Sequence, residues 1–211
     1  MKGRHVVITG GHGALGKGVV AVLEARGANV IVAPDPPELD LSGEDGATAF
    51  FAKLPPLWAS IHLVGGFAMK PLVDTSLADF EKQWRLNTVT CFLSCREAVR
   101  ALRKTGDGGR IVNVAARPVV APVGGMAAYV ASKAGVASLT QTLAVELATD
   151  RILVNAVLPS TIDSPANRAA MPKADHAAWP KPEELAEAIA FLASPENTLT
   201  SGTLLPVFGR A

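Results

Sequence analysis

The chain has 211 residues, of which 49% are hydrophobic and 18% charged, against about 25% charged in an ordinary soluble domain. Whole-chain disorder is excluded, and one domain with a large interior or a buried subunit interface is expected. A formal net charge of +1 gives no general attraction to nucleic acid or anionic membrane, and 5% aromatics with a single tyrosine, Tyr129, leave no base-stacking surface.

His5 to Thr9 is a β-rich run bounded by glycines and predicts a first strand. Ala14 to Arg26 has helical spacing, with Leu15, Val19, Val22 and Leu23 on one face. Asn29 to Ala33 predicts a second strand, followed by a Pro/Asp-rich stretch, a short strand at Leu39 to Leu41 and a short helix from Ala47 to Lys53. Ile61 to Val64 predicts a strand, and Ser76 to Lys104 one long helix ended by the Gly106 to Gly109 cluster. Arg110 to Val114 and Ile152 to Val157 predict strands on either side of a helix from Gly125 to Ala148. A helix from Pro182 to Ala193 and a strand from Thr203 to Val207 close the pattern. Continuous apolar strands alternating with helices predict an α/β fold, a doubly wound parallel sheet covered on both faces. One domain spans 1–211, with 159–181 as a loop covering the substrate. The apolar run near the N-terminus is too short for a signal peptide or membrane span, so a cytoplasmic protein is expected. Cys91 and Cys95 lie four apart on one helix face, which predicts packed thiols rather than a disulfide or metal site.

After the first strand comes Gly10-Gly11-His12-Gly13-Ala14-Leu15-Gly16, opening a helix. Backbone N–H groups and the helix dipole make such a turn a pyrophosphate site, and missing Cβ atoms allow close approach. Asp35, just past the second strand, can accept hydrogen bonds from a ribose 2′-OH and favours NAD over NADP. His12 could instead approach a 2′-phosphate. Asp40, with Leu41, could border the adenine, or serve as a helix cap or turn aspartate. Tyr129 and Lys133 lie one helical turn apart on one face. The lysine charge favours phenolate, so the pair can exchange a proton with a substrate.

Thr9-Gly10 with Gly16, Asn87, Tyr129 with Lys133, Asn155 before Pro159, and Ser201-Gly202 together resemble the short-chain dehydrogenase/reductase family. The resemblance implies a Rossmann-type sheet of about seven parallel strands, NAD or NADP, and hydride transfer. It also implies that Tyr129 is the acid/base, that Lys133 holds the cofactor ribose, and that Asn87 supports a proton relay. Gly65, Gly66, Pro159, Thr161 and Ile162 would border the cofactor. The helices of Asn87 and Tyr129 would build a homodimer or homotetramer.

The sequence departs from the family pattern at the catalytic serine, replaced by Ala116 with Arg117 after it, and at Val64-Gly65-Gly66-Phe67 and Pro159-Ser160. These departures are similar to the dihydropteridine reductase branch, as is the segment from Leu158 to Trp179; Asn87 is not typical of that branch. Phe67 or Trp179 would cover a flat ring, and Ala116 would leave room for it. The branch implies hydride transfer to a quinonoid dihydropterin or related C=N acceptor. Alternatives are a carbonyl or quinone reductase or alcohol dehydrogenase with a serine-less site, and a non-catalytic NAD(P)-binding sensor.

Overall fold

The computed structural model describes residues 1–210. Six strands form one parallel sheet in the order β2-β1-β3-β4-β5-β6: β1 His5–Thr9, β2 Asn29–Val32, β3 Ala59–His62, β4 Gly109–Val114, β5 Ile152–Pro159 and β6 Leu204–Val207. The strands are rich in Val, Ile and Leu because both faces of the sheet are covered. On one face pack α1 (Ala14–Ala25) and α7 (Pro182–Ala193), burying Val19, Leu23, Ile189 and Leu192 against Val6, Ile8 and Ile61. On the other lie α2 (Glu44–Ala52), α4 (Thr90–Thr105) and α5 (Ala127–Glu146), where Phe51, Leu102 and Val136 meet Val7, Ile111 and Val154. Val6 and Ile8 face one layer and Val7 the other, as the two-residue strand period requires.

The expected strand at Leu39 to Leu41 is absent. Asp40 spends its carboxylate on Ser42, accepting from the backbone N–H at 2.8 Å and the hydroxyl at 2.7 Å, and this local turn leads into α2. Three prolines between Val32 and Glu38 lack the N–H groups a further ladder would need. The sheet has six strands against the about seven expected, and β2 is its edge.

The predicted long helix is three pieces. Ser76 caps α3 (Leu77–Trp84) in a capping box with Asp79, a π-helical segment covers Arg85–Val89, and α4 follows. Gly106, with φ of 70°, ends α4 in the left-handed conformation. A short α6 (Pro165–Ala170), capped by Ser164, was not anticipated; it lies within the segment after β5. Among the described residues, no helix is long and apolar enough to cross a membrane.

Candidate active site

In a parallel sheet the C-terminal strand ends lie on one edge, and that is where ligands of doubly wound folds bind. β1 delivers the glycine turn to this edge, β3 delivers Gly65 and Gly66, β4 delivers Ala116, and β5 delivers Pro159.

The glycine turn fits an anionic ligand on two grounds. Gly10 takes a φ of 71°, and a Cβ at Gly16 would lie 2.4 Å from the Gly10 carbonyl oxygen, so the turn closes only without side chains. Gly13 starts α1 with no side-chain cap, and the first turn holds no acidic residue. The helix N–H groups are therefore free to meet a phosphate. Gly11 packs on Val32, since a Cβ there would lie 2.6 Å from Val32 Cγ1. This brings the turn to the end of β2, where His12 Nδ1 stands 3.2 Å from Asp35 Oδ2, both residues about half exposed. The second-strand acid and the loop histidine thus form one pair. Asp40 sits in its turn with Ser42, and the hydroxyl and backbone bonds from Ser42 hold its carboxyl below the usual range. Leu41 is core.

Lys133, Asn87 and the Gly65–Gly66 backbone converge. Asn87 is buried, with Nδ2 donating to the Gly66 carbonyl and to Ser132 Oγ, both at 3.0 Å, and Oδ1 accepting from the Gly66 N–H at 3.0 Å. A Cβ at Gly65 would lie 2.6 Å from Asn87 Oδ1 and 3.0 Å from Lys133 Nζ, so glycine alone lets these side chains approach the backbone. Lys133 Nζ donates to the Val114 carbonyl at 2.9 Å. Burial pushes its ammonium down to about 8.

Tyr129 lies one turn before Lys133 on α5, and its ring meets Phe67 edge-on at 5.0 Å between centroids. Burial pushes the phenol up to about 12, and no neighbouring charge offsets it. Lys133 was expected to favour the phenolate; in this arrangement desolvation of the phenol opposes that effect and favours the protonated form.

The remaining expected residues are more dispersed. Ala116 is buried at the end of β4, where it offers no hydroxyl. Arg117 opens a short 3-10 turn with its guanidinium 5.2 Å from the Phe208 ring. Pro159 ends β5 opposite Val207. Thr161 is half-buried, and the Ile162 carbonyl accepts from Asn167 Nδ2. Trp179 is buried with its ring 4.6 Å from that of His176, a packing position in the loop.

Two participants were missed. Ser132 links Asn87 to the Tyr129 carbonyl, donating to the latter at 2.7 Å. Gln83 is buried with Oε1 3.4 Å from Asn87 Nδ2. Its position four residues before Asn87 was the available signal, because that spacing shares a helix face. Beneath the site, buried Cys91 and Cys95 have sulfurs 4.0 Å apart, and Cys95 Sγ lies 3.4 Å from His62 Nδ1. Both His62 nitrogens are already engaged, by Ser60 Oγ at 2.7 Å and Asn113 Oδ1 at 2.8 Å, so this cluster is a satisfied polar network.

The family profile described as enoyl-(acyl carrier protein) reductase matches residues 1–209. An uncharacterized short-chain type dehydrogenase/reductase of Sinorhizobium fredii is 31% identical over 98% of this chain and 43% of its own length. Cis-4-hydroxycyclohexanecarboxylate dehydrogenase of Sinomonas cyclohexanicum is 31% identical over 98% of this chain and 95% of that protein. The 3-ketoacyl-(acyl-carrier-protein) reductase of Brucella melitensis, solved with NADH, superposes with a TM-score of 0.89 at 25% identity, covering 99% of this chain and 98% of that one. The glycine turn, the Tyr129–Lys133 pair and a profile match over nearly the whole chain lead to one conclusion: the chain belongs to the short-chain dehydrogenase/reductase family and is a NAD(P)-dependent oxidoreductase.

Proposed function

We propose that the protein is a reductase in which Tyr129 delivers a proton to an acceptor while a bound nicotinamide supplies the hydride. The observation that carries this reading is geometric: Tyr129 stands one turn before Lys133 on α5 with its ring against Phe67, and the Lys133 ammonium lies against Gly65. The Gly10–Gly16 turn would hold the pyrophosphate, Gly65 and Gly66 would line the nicotinamide side, and Lys133 would bond the ribose. Asn87 acts as a positioning residue, because its amide clamps both main-chain groups of Gly66. Asp35 favours NAD(H), since a carboxylate accepts from a 2′-OH and repels a 2′-phosphate.

The acceptor reading we favour is a dihydropterin-like C=N group. A carbonyl builds charge on oxygen and gains from a hydroxyl donor beside the tyrosine, and Ala116 supplies none. A conjugated C=N acceptor is already polarised, so proton donation from Tyr129 suffices. Phe67, exposed and edge-on to Tyr129, would cover the flat ring. A second reading, oxidation or reduction at an alcohol or carbonyl, is favoured by the Sinomonas relative, whose name places its action on a cyclic hydroxy acid. NADH oxidation with quinonoid dihydropterin, run beside a panel of ketones, tests both. Turnover of the pterin that disappears in Tyr129→Phe is expected. Turnover of ketones alone would decide for the second reading, and no turnover with any acceptor would leave a nucleotide-binding protein.

The exposed apolar side chains Phe80, Trp84 and Phe92 on α3 and α4, with Val145 on α5, support a homodimer or homotetramer built on these helices. Sedimentation of the protein, compared with Phe92→Glu, measures that.

A further inference from the structure

Beside Phe67, the Gly66–Lys70 loop, α3 and the start of α5 line a pocket of about 390 Å³. That size is within the range of small-molecule sites. Phe67, Met69, Leu86 and Met126 give it apolar walls. The loop is fixed there, because the Lys70 N–H donates to the Gly125 carbonyl at 2.7 Å.

Its polar groups are unequal. Asp79 is already neutralised: Lys70 Nζ lies 3.0 Å away, the Ser76 N–H and hydroxyl donate to it, and its carboxyl is held at about 2. Lys82 also lines the pocket, and among the described residues it has no carboxylate within ion-pair distance. At the floor, Gln83 is 5% exposed; its Oε1 faces Asn87, while its amide nitrogen makes no hydrogen bond to the protein. The buried side-chain atoms without a partner do not include this nitrogen, so it remains open to solvent in the pocket and is available to a ligand. One spare cation and one spare donor in an apolar pocket select an anionic acceptor.

We infer that this pocket takes a carboxylate-bearing arm of the substrate, with Lys82 and Gln83 as the specificity-determining residues. The inference rests on the reading of Tyr129 as the reactive centre, because Phe67 and Ala128 join the pocket to that tyrosine.

The test uses two matched ketones, 4-acetylbenzoate and 4-methylacetophenone, titrated calorimetrically into the full-length protein with saturating NAD⁺ and again without it. A charge-assisted bond predicts that the carboxylate binds about tenfold more tightly. Lys82→Met should erase that preference and Lys82→Glu should reverse it, while affinity for the methyl ketone moves by less than about twofold. Gln83→Leu should weaken the carboxylate selectively. Lys82 is exposed, so an unchanged melting temperature will show that its variants fold. Equal affinities, binding of neither ketone, or a preference that survives Lys82→Glu overturns the inference. NADH oxidation is recorded in parallel. A carboxylate preference without turnover of either ketone upholds the pocket and counts against the carbonyl reading only.

Discussion

The two halves of the cleft are built by different means. The half proposed to hold the cofactor is closely packed main chain that leaves no room for a Cβ: Gly11 against Val32, Gly16 against Gly10, Gly65 against Asn87 and Lys133. The half proposed for the substrate is side chain: a buried Ala116 with no hydroxyl, Phe67 60% exposed, and an exposed Lys82. A pyrophosphate is the same in every nicotinamide cofactor, so its cradle admits little variation. Acceptors differ, and side chains can be exchanged without rebuilding the backbone.

The sharpest way to break this contrast is at Tyr129, where the halves meet. Tyr129→Phe should lower kcat by about 10²–10⁴ in stopped-flow assays and leave NADH affinity unchanged, as expected for the loss of a proton donor. A Kd that rises with it would make the tyrosine part of the cradle instead.

Lys133 gives a pH signature. Its ammonium titrates at about 8, and the charged form is the one that can bond a ribose and steer the phenol. Reductive kcat/KM should therefore be full below pH 8 and fall as pH rises through it, while Tyr129 remains protonated over the same range. The fall should vanish from the profile of Lys133→Met, whose residual activity is lower throughout.

Within the cradle, Gly16→Val should lower stability by about 1–3 kcal/mol through overpacking and abolish NADH binding. Gly13→Ala, whose added Cβ would find its nearest atom at 3.5 Å, should bind normally. Thermal shifts with and without NADH read both. On the substrate side, Ala116→Ser is a small change in a buried spot. It should raise carbonyl reduction without altering Tm by more than a few degrees. Unchanged carbonyl rates would mean that the serine position is not aimed at the acceptor. The smallest effect is expected at the half-exposed His12–Asp35 pair. Asp35→Asn should shift the NADH-to-NADPH affinity ratio toward NADPH by several-fold, about 1 kcal/mol, as measured by fluorescence titration.

The sequence was most legible where periodicity and packing agree. Val6 to Ile8, Ile111 and Val154 announce strands because they are apolar without interruption, and the sheet buries them on both faces. The glycine turn was legible because its spacing follows from backbone geometry. Local hydrogen bonding was harder to see. Leu39-Asp40-Leu41 has a strand-like pattern, yet Asp40 bonds Ser42 and ends the extended run. The π-helical segment at Arg85–Val89 leaves no mark in a helical repeat. The protonation of Tyr129 could not be read from its spacing to Lys133, because burial around the phenol is a property of the packed site.

The missing outer strand has a consequence for solubility. β2 carries the open edge of the sheet, and an open edge is a template on which another chain can add a strand. Here that edge is four residues long, and Pro34, Pro36 and Pro37 follow almost at once. None of the three has an N–H to donate, so an added strand would find its ladder broken just past the four residues of β2. The same prolines that keep a third strand from forming on this side also protect the chain from edge-to-edge aggregation.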